Sequence, residues 1–497
     1  MAMDIVIKGG TVVDGTGKPG FLADVGIVGD QIYAIERNLP LENASLVIDA
    51  TGKVVAPGFI DAHCHTDWSI LEGQWDDHQE RQGITTQIAG LCGTAPVSPA
   101  AHFSQAESRG LGTNYALFAG HGSIRKEVMG EEKRPPNPEE ISIMKDLIRK
   151  AMDEGALGLS TGLIYTPGRF ADTNELVELA KVAAQYGGIY ATHMRSESDE
   201  ISQALREALE VARASQAQLQ ISHIKVILPR NWGKAQNIIE TVIKEKEAGL
   251  NVAADQYPYT ITGGGLYGAS KLVEGWDKET GPGRFLERYR DVSERKRMSY
   301  YVDSLLRERG GAQYFTIIRV AEPGYLGKSL LDAAELCGIS PGEFCIEALY
   351  ESKGEFALAY ESVSEEELIS FMTEPWVMVG TDGVLGAFHP RTHGTFPRVL
   401  GRYVREKGAL TLEEAIRKMT SLPADTFGFK GRGRLQAGAY ADIVVFDPGT
   451  VSDRATLLEP TAYPAGIEHV LVNGVPVILS SERTDAFPGR VLVRSSS

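Results

Sequence analysis

Two histidines one residue apart, His63 and His65, are the first residues in this sequence whose spacing suggests chemistry. They close the run Asp61-Ala62-His63-Cys64-His65, and alternate side chains of an extended chain share one face. Both imidazoles therefore point together while Cys64 points away. Four further residues of ligand type end other apolar runs: Cys92 in Gly90-Leu91-Cys92-Gly93, His193, His223, and Asp382 in Thr381-Asp382-Gly383. Each has an ordinary reading when taken alone: a loop-edge histidine pair, a small buried thiol, a hydrogen-bonded core histidine, a cap after a strand. Together they form a set of imidazole, thiolate and carboxylate donors. Such a set suits Zn2+ better than Mg2+ or Ca2+, with Ni, Co or Fe as less suited occupants.

Bringing these side chains to one place requires a scaffold whose strand ends converge. Eight apolar runs can be named: VVAPGFIDAHCH, TTQIAGLCG, YALFAGHG, ALGLSTGL, IYATHMR, LQISHIK, NVAADQYPY and VMVGTDG. Amphipathic helical stretches follow several of them, at 139–153, 174–187, 199–215 and 234–248, with apolar residues at i, i+3 and i+4. Eight strand-helix units imply an α/β fold of the (β/α)8 TIM-barrel type over residues 56–430, with the site at the carboxyl ends of the strands. Before the eighth run about 115 residues intervene, far more than a β-α loop needs. Residues from about 260 to 335 are read as an insertion over the site. Residues 1–55 and 431–497 hold short β-branched runs punctuated by Gly, Asn and Asp. Each is too short to stand alone, and the two are expected to fold together into one small β-sandwich.

The 497 residues are 43% hydrophobic and 23% charged, which excludes disordered, collagen-like and membrane-spanning classes. Lys and Arg number 50 against 66 Asp and Glu, a formal net charge of −16. That field repels phosphate backbones, so nucleic acid and anionic membrane are not expected partners. Four cysteines, Cys64, Cys92, Cys337 and Cys345, do not make a disulfide scaffold in so long a chain. With neither a basic leader nor an apolar stretch of signal length, a cytoplasmic location is expected. Homo-oligomerisation is left open by the composition.

Longer motifs carry a resemblance. P-G-F-I-D-A-H-C-H (57–65) resembles the entry motif of the amidohydrolase superfamily. The remaining passages are similar to its N-acyl-D-amino-acid deacylase (D-aminoacylase) branch: R-Q-G-I-T-T-Q-I-A-G-L-C-G (81–93), G-A-L-G-L-S-T-G-L-I-Y-T-P-G (155–168), G-G-I-Y-A-T-H-M-R-S-E (187–197), Q-I-S-H-I-K (220–225), A-D-Q-Y-P-Y-T (254–260), H-P-R-T-H-G-T-F-P-R-V-L (389–400) and R-G-R-L-Q-A-G-A-Y-A-D-I-V-V-F-D (432–447). The resemblance spans almost the whole chain. It implies one zinc with Cys92, His193 and His223, a second, weaker site with His63, His65 and Asp382, and Asp382 as the catalytic base. Many relatives bridge two metals through a carboxylated lysine on the fourth strand. Here that strand reads Gly158-Leu159-Ser160-Thr161-Gly162, without lysine, and Cys92 takes the bridging place. Leu91 stands where many relatives are expected to have Asn.

The implied reaction is hydrolysis of an N-acyl-D-amino acid to a carboxylate and a free D-amino acid. Zinc lowers the pKa of its water from about 15.7 towards about 7 and polarises the amide carbonyl, and Asp382 takes the water's proton and delivers it to the leaving amine. The substrate's α-carboxylate needs cationic partners. Lys225 matches the family's carboxylate-binding lysine, with Tyr257 and Arg391 as further partners by similarity. For Arg391 a structural salt bridge, and for Tyr257 packing with Tyr259, stay open. Arg195 either binds substrate or pairs with Glu197. His121 is an oxyanion or supporting residue, or a satisfied loop histidine, and Arg319 in the insertion is within the reach expected for a substrate side-chain carboxylate. Alternatives are a dipeptidase releasing a C-terminal D-residue, a cyclic amidase, for which the lysine-bridged pattern is missing, and a non-enzymatic scaffold, from which ligands would be lost.

Overall fold

The computed structural model describes residues 3–42, 44–72, 77–273 and 283–494. Each of the eight apolar runs contains a strand, and together they build two parallel sheets. One joins, in order, Val377–Val379, Val252–Gln256, Gln218–Ile221, Ile189–His193, Gly158–Gly162 and Ala119–Gly120. The other joins Phe59–Asp61, Ile84–Ala89 and Asn114–Leu117. Backbone hydrogen bonds link the two sheets at both edges. Leu157 N–H donates to Leu117 O (2.9 Å) on one side, and Ala62 N–H to Val379 O (3.2 Å) and His65 N–H to Gly383 O (2.9 Å) on the other.

The helices Pro138–Asp153, Thr173–Gln185, Ile201–Ser215 and Ala235–Glu247 lie close to their expected ranges. Their starts are chemically marked. Asn137 accepts from the backbone N–H groups of Glu139 and Glu140, and the Glu140 carboxylate accepts from Asn137 N–H. Such a reciprocal cap contributes about 1 kcal/mol. In Ile201–Ser215 the buried residues Leu205, Ala208, Leu209 and Ala212 form the stripe that packs on the parallel strands.

The first run departs from expectation, because it is two strands rather than one. Val54–Pro57 belongs to another sheet, and Phe59–Asp61 to the parallel one. The break falls at Gly58, where a Cβ would come within 2.2 Å of Thr85 and the N–H turns to Asp442 O (2.8 Å). His63 and His65 consequently follow the strand instead of lying in it.

The chain ends meet in one nine-stranded sheet. Ile5–Val12, Phe21–Val28, Gln31–Glu36, Leu46–Asp49 and Val54–Pro57 join Ile443–Phe446, Ile467–Val472, Val475–Leu479 and Glu482–Arg483. The seam pairs Val54–Pro57 antiparallel with Ile443–Phe446. Val55, Ile443 and Val445 face a core shared with Ile5, Ile7 and Val25, whereas Val54, Ala56, Val444 and Phe446 face a second core with Phe59, Phe396 and Leu400. Two-sided burial explains why the expected alternation of apolar and polar residues is absent here. The last residues leave this sheet: Arg490 O accepts from Tyr115 N–H (2.9 Å) and Leu492 N–H donates to Tyr115 O (2.8 Å).

The insertion has a three-stranded antiparallel sheet of its own, in the order Ile261–Tyr267, Ala357–Glu361, Phe315–Arg319. Because Ala357–Glu361 is its central strand, the unit runs to Glu361, past the expected end near 335. Residues 274–282 of the expected insertion lie outside the described residues. Val292–Glu308 and Pro341–Glu351 pack beside it around Phe315, Leu349 and Leu358. Among the described residues no helix is long and apolar enough to cross a membrane.

Candidate metal centre

All six ligand-type side chains converge at the carboxyl ends of the parallel strands. Cys92 Sγ lies 3.4 Å from His63 Nε2, 3.7 Å from His193 Nδ1 and 3.4 Å from His223 Nε2. Asp382 Oδ1 lies 3.0 Å from His65 Nε2 and 3.6 Å from His63 Nε2. Donor atoms within 4.8 Å of one another form three trios: His63, His65 and Cys92; Cys92, His193 and His223; and His63, His223 and Asp382. Cys92 thus belongs to two of them.

These donors fit zinc. With Zn–S near 2.3 Å and Zn–N near 2.0–2.1 Å, two ligands of a tetrahedral ion stand roughly 3.5 Å apart, the spacing found around Cys92. Outer partners fix the rings as well. His63 Nδ1 meets Asp255 Oδ1 at 2.8 Å, and His223 Nδ1 meets Glu197 Oε1 at 2.9 Å, which leaves each Nε2 facing Cys92. Asp255 also accepts from His223 N–H (2.8 Å) and from Gln220 Nε2 (2.7 Å), so one buried carboxylate holds two of the six residues. Asp61 ties the first run to the eighth by accepting from the N–H of Thr381 (2.8 Å) and of His63 (3.2 Å) and from Thr381 Oγ1 (2.7 Å).

Local backbone conformation aims the donors. Cys92, His223 and Asp382 have φ of 54°, 35° and 47°, in the left-handed region that non-glycine residues rarely adopt. Such conformations cost about 1–3 kcal/mol each and persist where surrounding structure imposes them. Gly93 (φ 77°) allows close approach: its Cβ would come within 2.6 Å of Gly162 N, and a Cβ on Gly162 within 2.0 Å of Cys92 O. The backbone of Cys92 fills the space that a side chain at that end of the fourth strand would need.

Charges balance across the centre. Burial pushes the Cys92 thiol up, but His63 and His223 outweigh it and hold the thiol well below its ordinary value. Burial likewise pushes the His65 and His223 imidazoles down. Asp382 and Cys92 lift His65 to about 9, and Glu197 and Cys92 lift His223 to about 9 against a further downward push from Lys225. His193, by contrast, is pushed down by burial and by His223; because metal binding needs neutral imidazoles and a thiolate, uptake would be coupled to proton release. For Asp382, burial works upward, while Arg391 and His223 keep the carboxyl well below its usual range.

A cavity of about 710 Å3 opens from His65, His193, His223 and Asp382 towards the insertion. Lys225, Tyr257 and Arg391 line it. Arg391 Nη1 donates to Asp382 Oδ2 (2.5 Å), and its guanidinium sits 4.7 Å from the Tyr257 ring centroid. A Cβ on Gly263 would come within 2.8 Å of Arg391 Nη2, so this glycine leaves the guanidinium its place. Lys225 Nζ donates to Glu197 Oε1 (2.5 Å) and to His223 O (2.9 Å), and lies 5.5 Å from the Tyr257 ring.

Arg195 is not brought to the cavity. The strand Ile189–His193 ends before it, so the two-residue alternation from His193 no longer applies. Its guanidinium binds Glu207 (2.9 and 3.0 Å) and the carbonyls of Arg169 and Ala171, while Glu197 turns to Lys225 and His223. His121 is buried away from the metal-competent set, its Nε2 paired with Glu175 (2.9 Å) beside Arg125 and its Nδ1 without a hydrogen-bond partner among the described residues. Arg319 pairs with Glu355 (2.5 Å). No sequence spacing marks Asp255 or Tyr165, whose ring is 5.1 Å from His193, and Glu197 is expected from sequence only as a partner of Arg195. An acid in the seventh run, in Ala254-Asp255-Gln256, was the available signal for the first.

Metal-competent side chains gathered at one end of parallel β-α units fit a metal-dependent hydrolase of the amidohydrolase type, and the sequence comparison agrees. The amidohydrolase family profile matches residues 46–256 and 371–478, and the chain belongs to that family. Within it the chain falls with the N-acyl-D-amino-acid deacylases. It is 36% identical to N-acyl-D-glutamate deacylase of Alcaligenes xylosoxydans xylosoxydans, covering 100% of this chain and 97% of the relative. D-aminoacylase of the same organism is 34% identical over 99% and 98%. The crystal structure of N-acyl-D-glutamate deacylase from Bordetella bronchiseptica, complexed with zinc and a phosphonate inhibitor, superposes with a TM-score of 0.80 at 34% identity, over 99% of this chain and 100% of that one.

Proposed function

We propose that this protein is a zinc-dependent deacylase of N-acyl-D-amino acids, releasing a carboxylate and a free D-amino acid. The observation that carries the reading is the Cys92, His193 and His223 trio with Asp382 beside it, in a chain that matches deacylases along its whole length. Eight parallel strands closed as a (β/α)8 barrel over 56–430 would present these residues. Hydrogen bonding between the two parallel sheets at both edges supports that closure. Residues 1–55 and 431–497 are read as one small β-sandwich, supported by Ile32 N–H reaching across to Ala439 O (2.8 Å). Four unpaired cysteines suit a cytoplasmic location.

In this reading Cys92, His193 and His223 hold the tight zinc, and His63, His65 and Asp382 the weaker site. Bound zinc supplies Lewis acidity to the attacking water and the amide carbonyl. Asp382, ionised at neutral pH, accepts the water's proton and passes it to the amide nitrogen, which cannot leave as an anion. Lys225, Tyr257 and Arg391 receive the α-carboxylate, two cations flanking one phenol. Leu266, Tyr267 and Tyr360 of the insertion line the same cavity.

Stereochemistry is the direct test. N-acetyl-D-amino acids are expected to be cleaved with kcat/KM about 100-fold or more above their L enantiomers, since a pocket built on fixed polar partners rejects a misdirected one. Equal rates would refute the assignment. Asp255→Asn is expected to weaken zinc binding about 10–100-fold through His63 and His223, read by competition with a chelator. Unchanged affinity would remove Asp255 from the centre.

A further inference from the structure

A second cavity, of about 720 Å3, lies at the amino ends of the parallel strands. Tyr186 and Gly187 on its wall lead into the strand Ile189–His193, and at about 3.3 Å per residue Gly187 stands roughly 20 Å from His193 and the metal centre. Its charge runs against that of the molecule. In a chain with a formal net charge of −16, four cationic side chains line it, Lys430, Arg432, Arg434 and Arg494, with one carboxylate, Asp425. That carboxylate is taken up by Arg434 (2.7 and 2.6 Å), and Arg432 turns to Asp442 and to Asn473 Oδ1 (2.8 Å). Arg494 has no such match. Its Nη1 is buried without a hydrogen-bond partner among the described residues, and burial pushes its guanidinium down with no carboxylate to offset it. The side chain nonetheless has a defined place. A Cβ on Gly428 would come within 3.3 Å of Arg494 Cγ, and one on Gly187 within 4.0 Å of its Nε. These glycines follow the helices Ser421–Phe427 and Thr173–Gln185, whose carbonyl ends attract a cation. That attraction accounts for a cation being here, but a buried guanidinium N–H still needs an acceptor.

We infer that this cavity is a binding site for a small phosphate ester, separate from the metal centre. A phosphoryl group carries three strong acceptor oxygens and suits donors that arrive from different segments. Arg494 comes from the tail that runs past Tyr115, and Lys430 and Arg434 from the stretch after Ser421–Phe427. Cavities of about 300–1,000 Å3 hold whole small molecules, so phosphate alone would leave most of this one unfilled. The ring of Tyr186, 42% exposed on the same wall, offers a face for the organic part. A ligand seated there would tie the chain's tail to the ends of two helices. Nothing in this inference depends on the deacylase reading.

The test is calorimetric titration of the zinc-loaded full chain with adenosine monophosphate, glucose 6-phosphate, inorganic phosphate and citrate, with hydrogen exchange to locate the bound molecule. At least one ester is expected to bind about 10-fold or more tighter than inorganic phosphate or citrate, and to slow amide exchange within 425–434 and 490–494. Which ester binds tighter identifies the organic part as nucleoside or sugar. Arg494→Met, which keeps the apolar stem, and Arg434→Gln should each weaken that binding about 10-fold or more, the worth of a charge-assisted hydrogen bond, at unchanged zinc content. With two variants, a folding defect in one leaves the other to decide. Absence of ester binding, citrate binding as tightly as either ester, or wild-type affinity in both variants would overturn the inference. So would exchange protection confined to the segments around Cys92, His193 and His223, which would place the phosphate at the metal centre.

Discussion

Cys92→Ala is expected to lose zinc and turnover together, with kcat/KM falling by well over about 100-fold, more than the loss of an outer partner costs. The thiol is common to two of the three donor trios and stands 3.4–3.7 Å from three imidazoles. Removing it leaves the trio with His193 and His223 one donor short and withdraws the negative charge that offsets the surrounding imidazoles. Metal analysis after dialysis should find the variant nearly zinc-free while its fold persists, since alanine is smaller and the surrounding contacts remain. A variant that keeps both metal and rate would show that Cys92 is only a buried thiol.

Asp382→Asn should separate the two properties that Cys92→Ala removes together. The amide is isosteric: its oxygen can still accept from Arg391 Nη1, and its nitrogen can face His65 Nε2. It cannot accept a proton from water. Loss of general base catalysis is expected to lower kcat by about 10²–10⁴-fold, while the zinc held by Cys92, His193 and His223 stays bound. A kcat close to wild type would take the proton transfer away from Asp382. Loss of all zinc would make Asp382 chiefly a ligand.

Much of this centre was legible because a strand end is a marked place in sequence. Cys92, His193, His223 and Asp382 each close an apolar run with a residue of metal-ligand type, and the coincidence of all four is what marks them. The partners of those residues were harder to see. Asp255 lies inside a strand, and its importance comes from the depth at which the seventh strand meets His63 and His223, which spacing along one chain does not encode. Lys225 and Arg195 illustrate the limit of alternation. Both stand two residues after a candidate ligand, and in both cases the regular strand has already ended. Lys225 still reaches the centre because Glu197 and the His223 carbonyl hold it there. Arg195 finds Glu207 on the next helix instead. The extent of the insertion was hidden for a similar reason, since Ala357–Glu361 is recognisable as its central strand only through its pairing with Ile261–Tyr267 and Phe315–Arg319.

The seam between the chain ends has a consequence for how the protein is made. Lys53 and Asp447, which meet at 3.0 Å beside that seam, are 394 residues apart in sequence. During synthesis the five N-terminal strands emerge first, and the hydrogen-bonding edge of Val54–Pro57 stays bare until Ile443–Phe446 is translated. Contacts of such long separation form late and slowly. An apolar strand with an open edge is a template for pairing with other chains. The open apolar edge of Val54–Pro57 is therefore an aggregation hazard that lasts until Ile443–Phe446 has been made and pairs with it.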